Sequence, residues 1–159
     1  MESYSIPKMR DIGIQTLFVQ DNHSYSRQKG VIRGLHFQDR PMDQAKLVRC
    51  SRGSILDVFV DIRIGSPRYK KWFGVELSAS NRKQLFIPSG YAHGFVTLEN
   101  DTEVQYKVDR LYSNEHDRTI RYDDPDIAIQ WGVSHPVVSE KDSIAPSLEM
   151  VENHLRYSE

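Results

Sequence analysis

Between Val31 and Val108 the chain never runs apolar for long: short hydrophobic stretches are broken by Gly, Pro, Ser and Asn at intervals of about ten residues. That rhythm leaves no room for the long periodic helices of βαβ units and predicts an all-β sandwich or barrel. Leu56, Val58, Val60 and Ile62 alternate with Asp57, Phe59 and Asp61, so one strand face is apolar and the other carries two carboxylates. Further strands are expected at Leu47 to Cys50, Gly74 to Leu77, Gln84 to Ile87, Gly94 to Leu98 and Glu103 to Val108. Turns are expected at Arg52-Gly53, Gly65-Ser66-Pro67, Pro88-Ser89-Gly90 and Glu99-Asn100-Asp101. The ends are less regular. A short helix is expected at Glu149 to Leu155, after Asp142 to Leu148, and Met1 to Gln15 shows no clear period.

The 159 residues fit one domain, 1–159, large enough to bury roughly two thirds of its unfolded surface. Lys and Arg (21) nearly balance Asp and Glu (22), so the field that non-specific nucleic-acid or membrane-surface binding needs is lacking, and a small discrete substrate is expected. The single cysteine, Cys50, has no internal partner, and Met1-Glu2-Ser3-Tyr4 does not open a signal peptide. A cytoplasmic protein is expected.

Two strings concentrate chemistry. Arg33-Gly34-Leu35-His36-Phe37-Gln38 and Gln44-Ala45-Lys46-Leu47-Val48-Arg49-Cys50 put a histidine, an arginine and a lysine on adjacent strand-like segments. An imidazole can take a carbon-bound proton, an ammonium can hold the developing enolate, and a guanidinium can hold a phosphate. By alternation Ile32, Gly34 and His36 are expected to share a face, with Gly34 permitting close approach of a ligand or a backbone. Lys46 reads either as a lysine meeting an anion inside a barrel or as a solvent-facing residue at a strand start. His93, after the breakers of Pro88-Ser89-Gly90, reads as a second base, a metal ligand or a structural histidine. No His-x-His cluster with a nearby carboxylate is visible, since Gln38 stands two residues after His36, and no metal is expected. Tyr106 alternates with Val104 and Val108 and is either a core tyrosine or one whose hydroxyl has a task. Asp142 reads locally as a solvated or helix-start residue.

Taken in order, Phe18 to Ser24, Ile32 to Gln38, Lys46 to Cys50, Asp57 to Arg63, Gln84 to Thr97, Tyr106-Lys107, Asp123-Asp124-Pro125 and Ser139 to Asp142 resemble the dTDP-4-dehydrorhamnose 3,5-epimerase family. The resemblance implies a cupin-type double-stranded β-helix and a cofactor-independent isomerase acting at C3, at C5 or at both carbons of a dTDP-linked 4-keto-6-deoxyhexose, in deoxysugar and surface-polysaccharide biosynthesis. It implies His36 as general base, Asp142 as the carboxylate orienting it, Tyr106 as the acid on the opposite face and Lys46 as the stabiliser of the enolate oxygen. Gln20, Asn22, Arg33 and Lys141 are implied as phosphate and sugar contacts, with Asp57 and His93 supporting the site by hydrogen bonding. A homodimer is implied, and exposed sheet edges give an all-β chain a physical reason to pair. Met1 to Tyr4 corresponds to the end of an Asp-x-x-Arg-Gly-x-Phe-x-Glu-like stretch of which Glu2 is the residue present, so a shortened member is expected, with Glu2 retained for the substrate. Leu111-Tyr112 stands where the family often has two tyrosines. Two other readings fit the same residues: a sugar-nucleotide-binding barrel without turnover, and a 3,4-ketoisomerase on the same fold.

Overall fold

The computed structural model describes residues 1–158 and is built almost wholly of strands. In chain order the elements are α1 (Ile6–Asp11), β1 (Gln20–Ser26), β2 (Ile32–Gln38), β3 (Lys46–Arg52), β4 (Ser54–Asp61), β5 (Trp72–Ser78), β6 (Gln84–Ile87), β7 (Tyr91–Thr97), β8 (Thr102–Val108), β9 (Asp117–Thr119) and α2 (Glu140–Ser143). They form two antiparallel sheets, a four-stranded one in the order β1-β8-β3-β6 and a five-stranded one in the order β5-β4-β7-β2-β9. This is the two-sheet β architecture expected from the spacing of the turns. The five interior strand segments named from sequence fall on β3, β5, β6, β7 and β8.

The core has two compartments. Val48, Cys50, Ile55, Leu77, Ile87, Phe95 and Val104 fill the space between the sheets. A larger cluster, including Ile32, Leu35, Phe37, Val58, Val60, Ile62 and Val96, lies on the outer face of the five-stranded sheet. Ile120, Trp131, Leu148 and Leu155 of the C-terminal half cover it. Strand β4 is therefore buried on both faces: its apolar residues sit under the C-terminal half, and its carboxylates are buried with partners. Asp57 meets His93, and Asp61 accepts from Arg63 and Ser66. Burying unpaired carboxylates would be prohibitive, so these partners are what allow the alternation to continue through the core.

Two expectations are corrected. Glu149 to Leu155 is not helical: a turn at Ser147 to Val151 is followed by extended chain. Leu155 and Tyr157 exchange backbone bonds with Ile64, and Leu148 and Leu155 are drawn into the outer core, which a local i to i+4 helix would not permit. The C-terminal helix that does form is α2, capped by Ser139, whose Oγ accepts from the Asp142 N–H. Secondly, Ile32, Gly34 and His36 do not share a face. Arg33 pairs with Phe95 and His36 with His93, so two residues of β2 oppose Gly94 alone, and the strand bulges. A side chain on Gly34 would stand 2.6 Å from the Gly94 Cα, and one on Gly94 would stand 2.7 Å from the Arg33 carbonyl oxygen. Glycine at both positions lets the strands close, and the bulge turns Arg33 and His36 toward one cleft while Ile32 and Leu35 enter the outer core.

Candidate active site

A cleft of about 320 Å³ opens between the sheets, lined by Arg33, His36 and Gln38 of β2, Lys46 of β3, His93 and Phe95 of β7 and Tyr106 of β8. Gln20, Asn22 and Ser24 of β1 line it at one side, and Gln44, Tyr112, Asp117 and Lys141 at its mouth.

His36 and Asp142 are 106 residues apart in sequence and joined in space. The imidazole Nε2 lies 2.7 Å from Asp142 Oδ1, and the other carboxylate oxygen accepts from the Gly34 N–H at 3.3 Å. Burial works against ionisation of Asp142, yet the hydrogen bonds from His36, Gly34 and the Ser139 cap hold its carboxyl below the usual range. The ring is thus pinned through Nε2, and Nδ1 is the nitrogen without a protein partner among the described residues. Asp142 is 2% exposed and His36 is half-buried, so the carboxylate sits behind a base that the cleft can reach.

Lys46 is the buried cation of the site. Its Nζ lies 3.4 Å from the His36 carbonyl oxygen. Burial pushes its pKa down to about 8, an effect that Asp57 and Asp117 partly offset. His93 is held deeper, its Nε2 2.9 and 3.0 Å from the two Asp57 oxygens. Burial, aided by the charges of Lys46 and His36 and opposed by Asp57, moves His93 below its ordinary pKa. The pair gives Lys46 a neutral imidazole and a carboxylate as its inner neighbours. Tyr106 reaches the cleft from the four-stranded sheet, its ring 6.5 Å from that of His93 in an edge-on arrangement. Burial raises its hydroxyl, so it is a proton donor at neutral pH.

The residues expected to contact the phosphate and sugar also converge, Glu2 excepted. Arg33 is braced by the Ser26 hydroxyl and the Tyr25 carbonyl, and Gln20 donates to Asn22 while accepting from the Tyr112 N–H. Lys141 donates to Asp117 at 2.5 Å. Glu2 is the exception: it pairs with Lys8 at 2.8 Å and does not line the cleft. Asp57 likewise does not line it and acts through His93. Asp117, Tyr112 and Gln38 are site residues that the sequence reading missed. Gln38 could have been found by stepping two residues along β2 from His36. Asp117 carries no local signal, because only the addition of the three-residue β9 to the edge of β2 brings it there. Among the described residues no three His, Cys, Asp or Glu side chains form a metal-binding cluster.

A family model described as dTDP-4-dehydrorhamnose 3,5-epimerase matches residues 1–150. The chain belongs to the dTDP-4-dehydrorhamnose 3,5-epimerase family. The enzyme of that name from Sinorhizobium fredii is 52% identical over 148 residues, covering 92% of this chain and 74% of its own. A crystal structure of the Bacillus anthracis dTDP-4-dehydrorhamnose 3,5-epimerase with TDP and PPi bound superposes with a TM-score of 0.90. It is 49% identical and covers 92% of this chain and 83% of that one. The Legionella pneumophila dTDP-6-deoxy-D-glucose-3,5-epimerase in complex with dTDP-4-keto-L-rhamnose gives 0.93 at 42% identity, over 99% and 85% of the two chains. The epimerase family thus accounts for nearly the whole of this chain, and its two-sheet fold is the one described above.

Proposed function

We propose that this epimerase inverts C3 and C5 of a dTDP-linked 4-keto-6-deoxyhexose, in deoxysugar biosynthesis, with His36 and Tyr106 working on opposite faces of the sugar. The observation that carries the assignment of roles is the placement of a carboxylate-pinned imidazole on one sheet and a protonated phenol on the other, with a buried ammonium lining the same cleft. Both carbons flank the C4 carbonyl, so loss of either proton gives an enolate on the same oxygen, and one cation serves both steps.

His36 Nδ1 removes the proton, the C–H electron pair becomes the enolate, and Lys46 holds the oxygen. Tyr106 then delivers its proton to the other face of the carbon, leaving a phenolate that regains a proton from solvent as His36 loses one. Asp142 keeps the His36 ring oriented and stabilises its charge, and Asp57 with His93 orders the interior around Lys46. Arg33 and Lys141 suit the pyrophosphate, and Gln20 and Asn22 the polar groups beside it. The chain works as a homodimer whose free strand edges, such as that of β1, supply a pairing surface; sedimentation giving a monomer would contradict this. Among the described residues no helix is long and apolar enough to cross a membrane. We place the protein in the cytoplasm, where its one buried thiol stays reduced.

NMR of the product tests the reaction assignment. Inverted configuration at C3 and C5 with the carbonyl still at C4 is expected. An unchanged sugar, or a carbonyl moved to C3 as a ketoisomerase would leave it, would overturn it.

A further inference from the structure

Thr119 ends β9 beside the base. Leu35 and Ile120 exchange both backbone hydrogen bonds, at 3.0 and 2.9 Å. The next pair, His36 opposite Thr119, is therefore a non-hydrogen-bonded pair, the kind whose side chains approach most closely. The registers put Phe59, His93, His36 and Thr119 in one row on one face of the sheet. Thr119 is 8% exposed, and its Oγ1 is the one buried side-chain polar atom without a hydrogen-bond partner among the described residues. Buried hydroxyls are nearly always bonded, and an unbonded one destabilises the fold.

Its neighbour in the row is the group whose hydrogen-bonding capacity changes during the reaction. A neutral imidazole has one N–H, which Asp142 takes; after abstraction of a carbon-bound proton it has two, and one of them has no acceptor. We propose that Thr119 is a positioning residue of this epimerase, its hydroxyl accepting the second N–H of the His36 imidazolium, directly or through one water, between proton abstraction and release. The C–H bond breaks, its proton passes to the imidazole and its electron pair to the enolate, while Thr119 gains only a hydrogen bond.

The proposal rests on His36 being the base. The groups facing His36 are Asp142 and Lys141 on α2, His93 on β7 with Asp57 of β4 behind it, and Arg33 on β2 itself. Lys46 on β3, Tyr106 on β8 and Asp117 on β9 complete the set. None of these residues is altered in the Thr119 variants, so the contrast between Thr119→Val and Thr119→Ser isolates the hydroxyl.

The test is the pH dependence of kcat/KM with an NMR titration of the His36 ring in the wild type and both variants. Loss of an acceptor from a charged donor is expected to move the acid limb and the ring titration of Thr119→Val to lower pH by about one unit, while Thr119→Ser keeps both. An acid limb and titration unmoved in Thr119→Val would overturn the proposal. A wild-type acid limb that does not coincide with the His36 titration would instead overturn the assignment of His36 as base. Should Thr119→Val not fold, Thr119→Ala is read by the same titration with the same two outcomes.

Discussion

Replacing Lys46 by methionine is expected to stabilise the protein while disabling it. Lys46 is 7% exposed, and its pKa stands at about 8 against 10.5 for the unburied group. At roughly 1.4 kcal/mol per unit, that gap means the charged lysine destabilises the fold by ~3 kcal/mol. The attraction to Asp57 and Asp117 is already included in the gap. Because the folded pKa lies below the unfolded one, the penalty is complete below about pH 8 and fades as the pH rises from about 8 to 10.5. Methionine fills a similar volume without charge, so at pH 7 denaturant unfolding should show Lys46→Met the more stable by up to ~3 kcal/mol. In a domain of this size that is a rise in Tm of ~5–10 °C. The advantage should shrink above pH 8. Turnover should fall by a factor of about 100 to 1000, the scale of losing one group that stabilises an oxyanion. A variant less stable than the wild type at pH 7 would refute the claim that Lys46 is held as a costly buried cation for the enolate.

Other outcomes follow from the same contacts. Asp142→Asn should lower kcat by about 10²–10⁴, because an amide that donates to His36 Nε2 forces the proton onto Nδ1, the nitrogen needed as base; steady-state kinetics at a temperature where the variant's melt shows it fully folded would separate this from misfolding. Since the wild-type Asp142 pKa is depressed, its contribution to stability is present above the ordinary carboxylate range and lost on acidification, and the Asn variant should show less acid sensitivity in thermal melts. Activity should fall as Lys46 loses its proton near pH 8, and Asp57→Asn, by removing a charge that supports that proton, should move this basic limb of the kcat/KM profile to lower pH. Asp61→Ala should cost about 3–5 kcal/mol in denaturant unfolding, because it strips the half-buried Arg63 of a fully buried partner.

The strands were legible because turn residues interrupt the hydrophobic pattern at regular intervals, and β4 was legible in detail because its alternation persists through the core. What alternation could not show was the bulge in β2. It depends on Gly34 and Gly94 meeting across two strands, and it decides that Arg33 and His36 face the same way. The supposed helix at Glu149 to Leu155 failed for a related reason: its apolar residues answer to a distant sheet, not to their own periodicity. Within the site, His36, Lys46, Tyr106 and His93 carry chemical character that a reader can notice one at a time. The link from His36 to Asp142 came only from the family resemblance. Asp117 and Thr119 were invisible, because their roles arise from the pairing of β9 with β2.

The most direct test of proton transfer across two faces is NMR of a dTDP-linked 4-keto-6-deoxyhexose in heavy water with the wild type, His36→Asn and Tyr106→Phe. The wild type should place deuterium at C3 and C5 with inversion, Tyr106→Phe should give deuterium without inversion, and His36→Asn should give neither. Inverted product from Tyr106→Phe at the wild-type rate, or undiminished deuterium uptake with His36→Asn, would contradict the account.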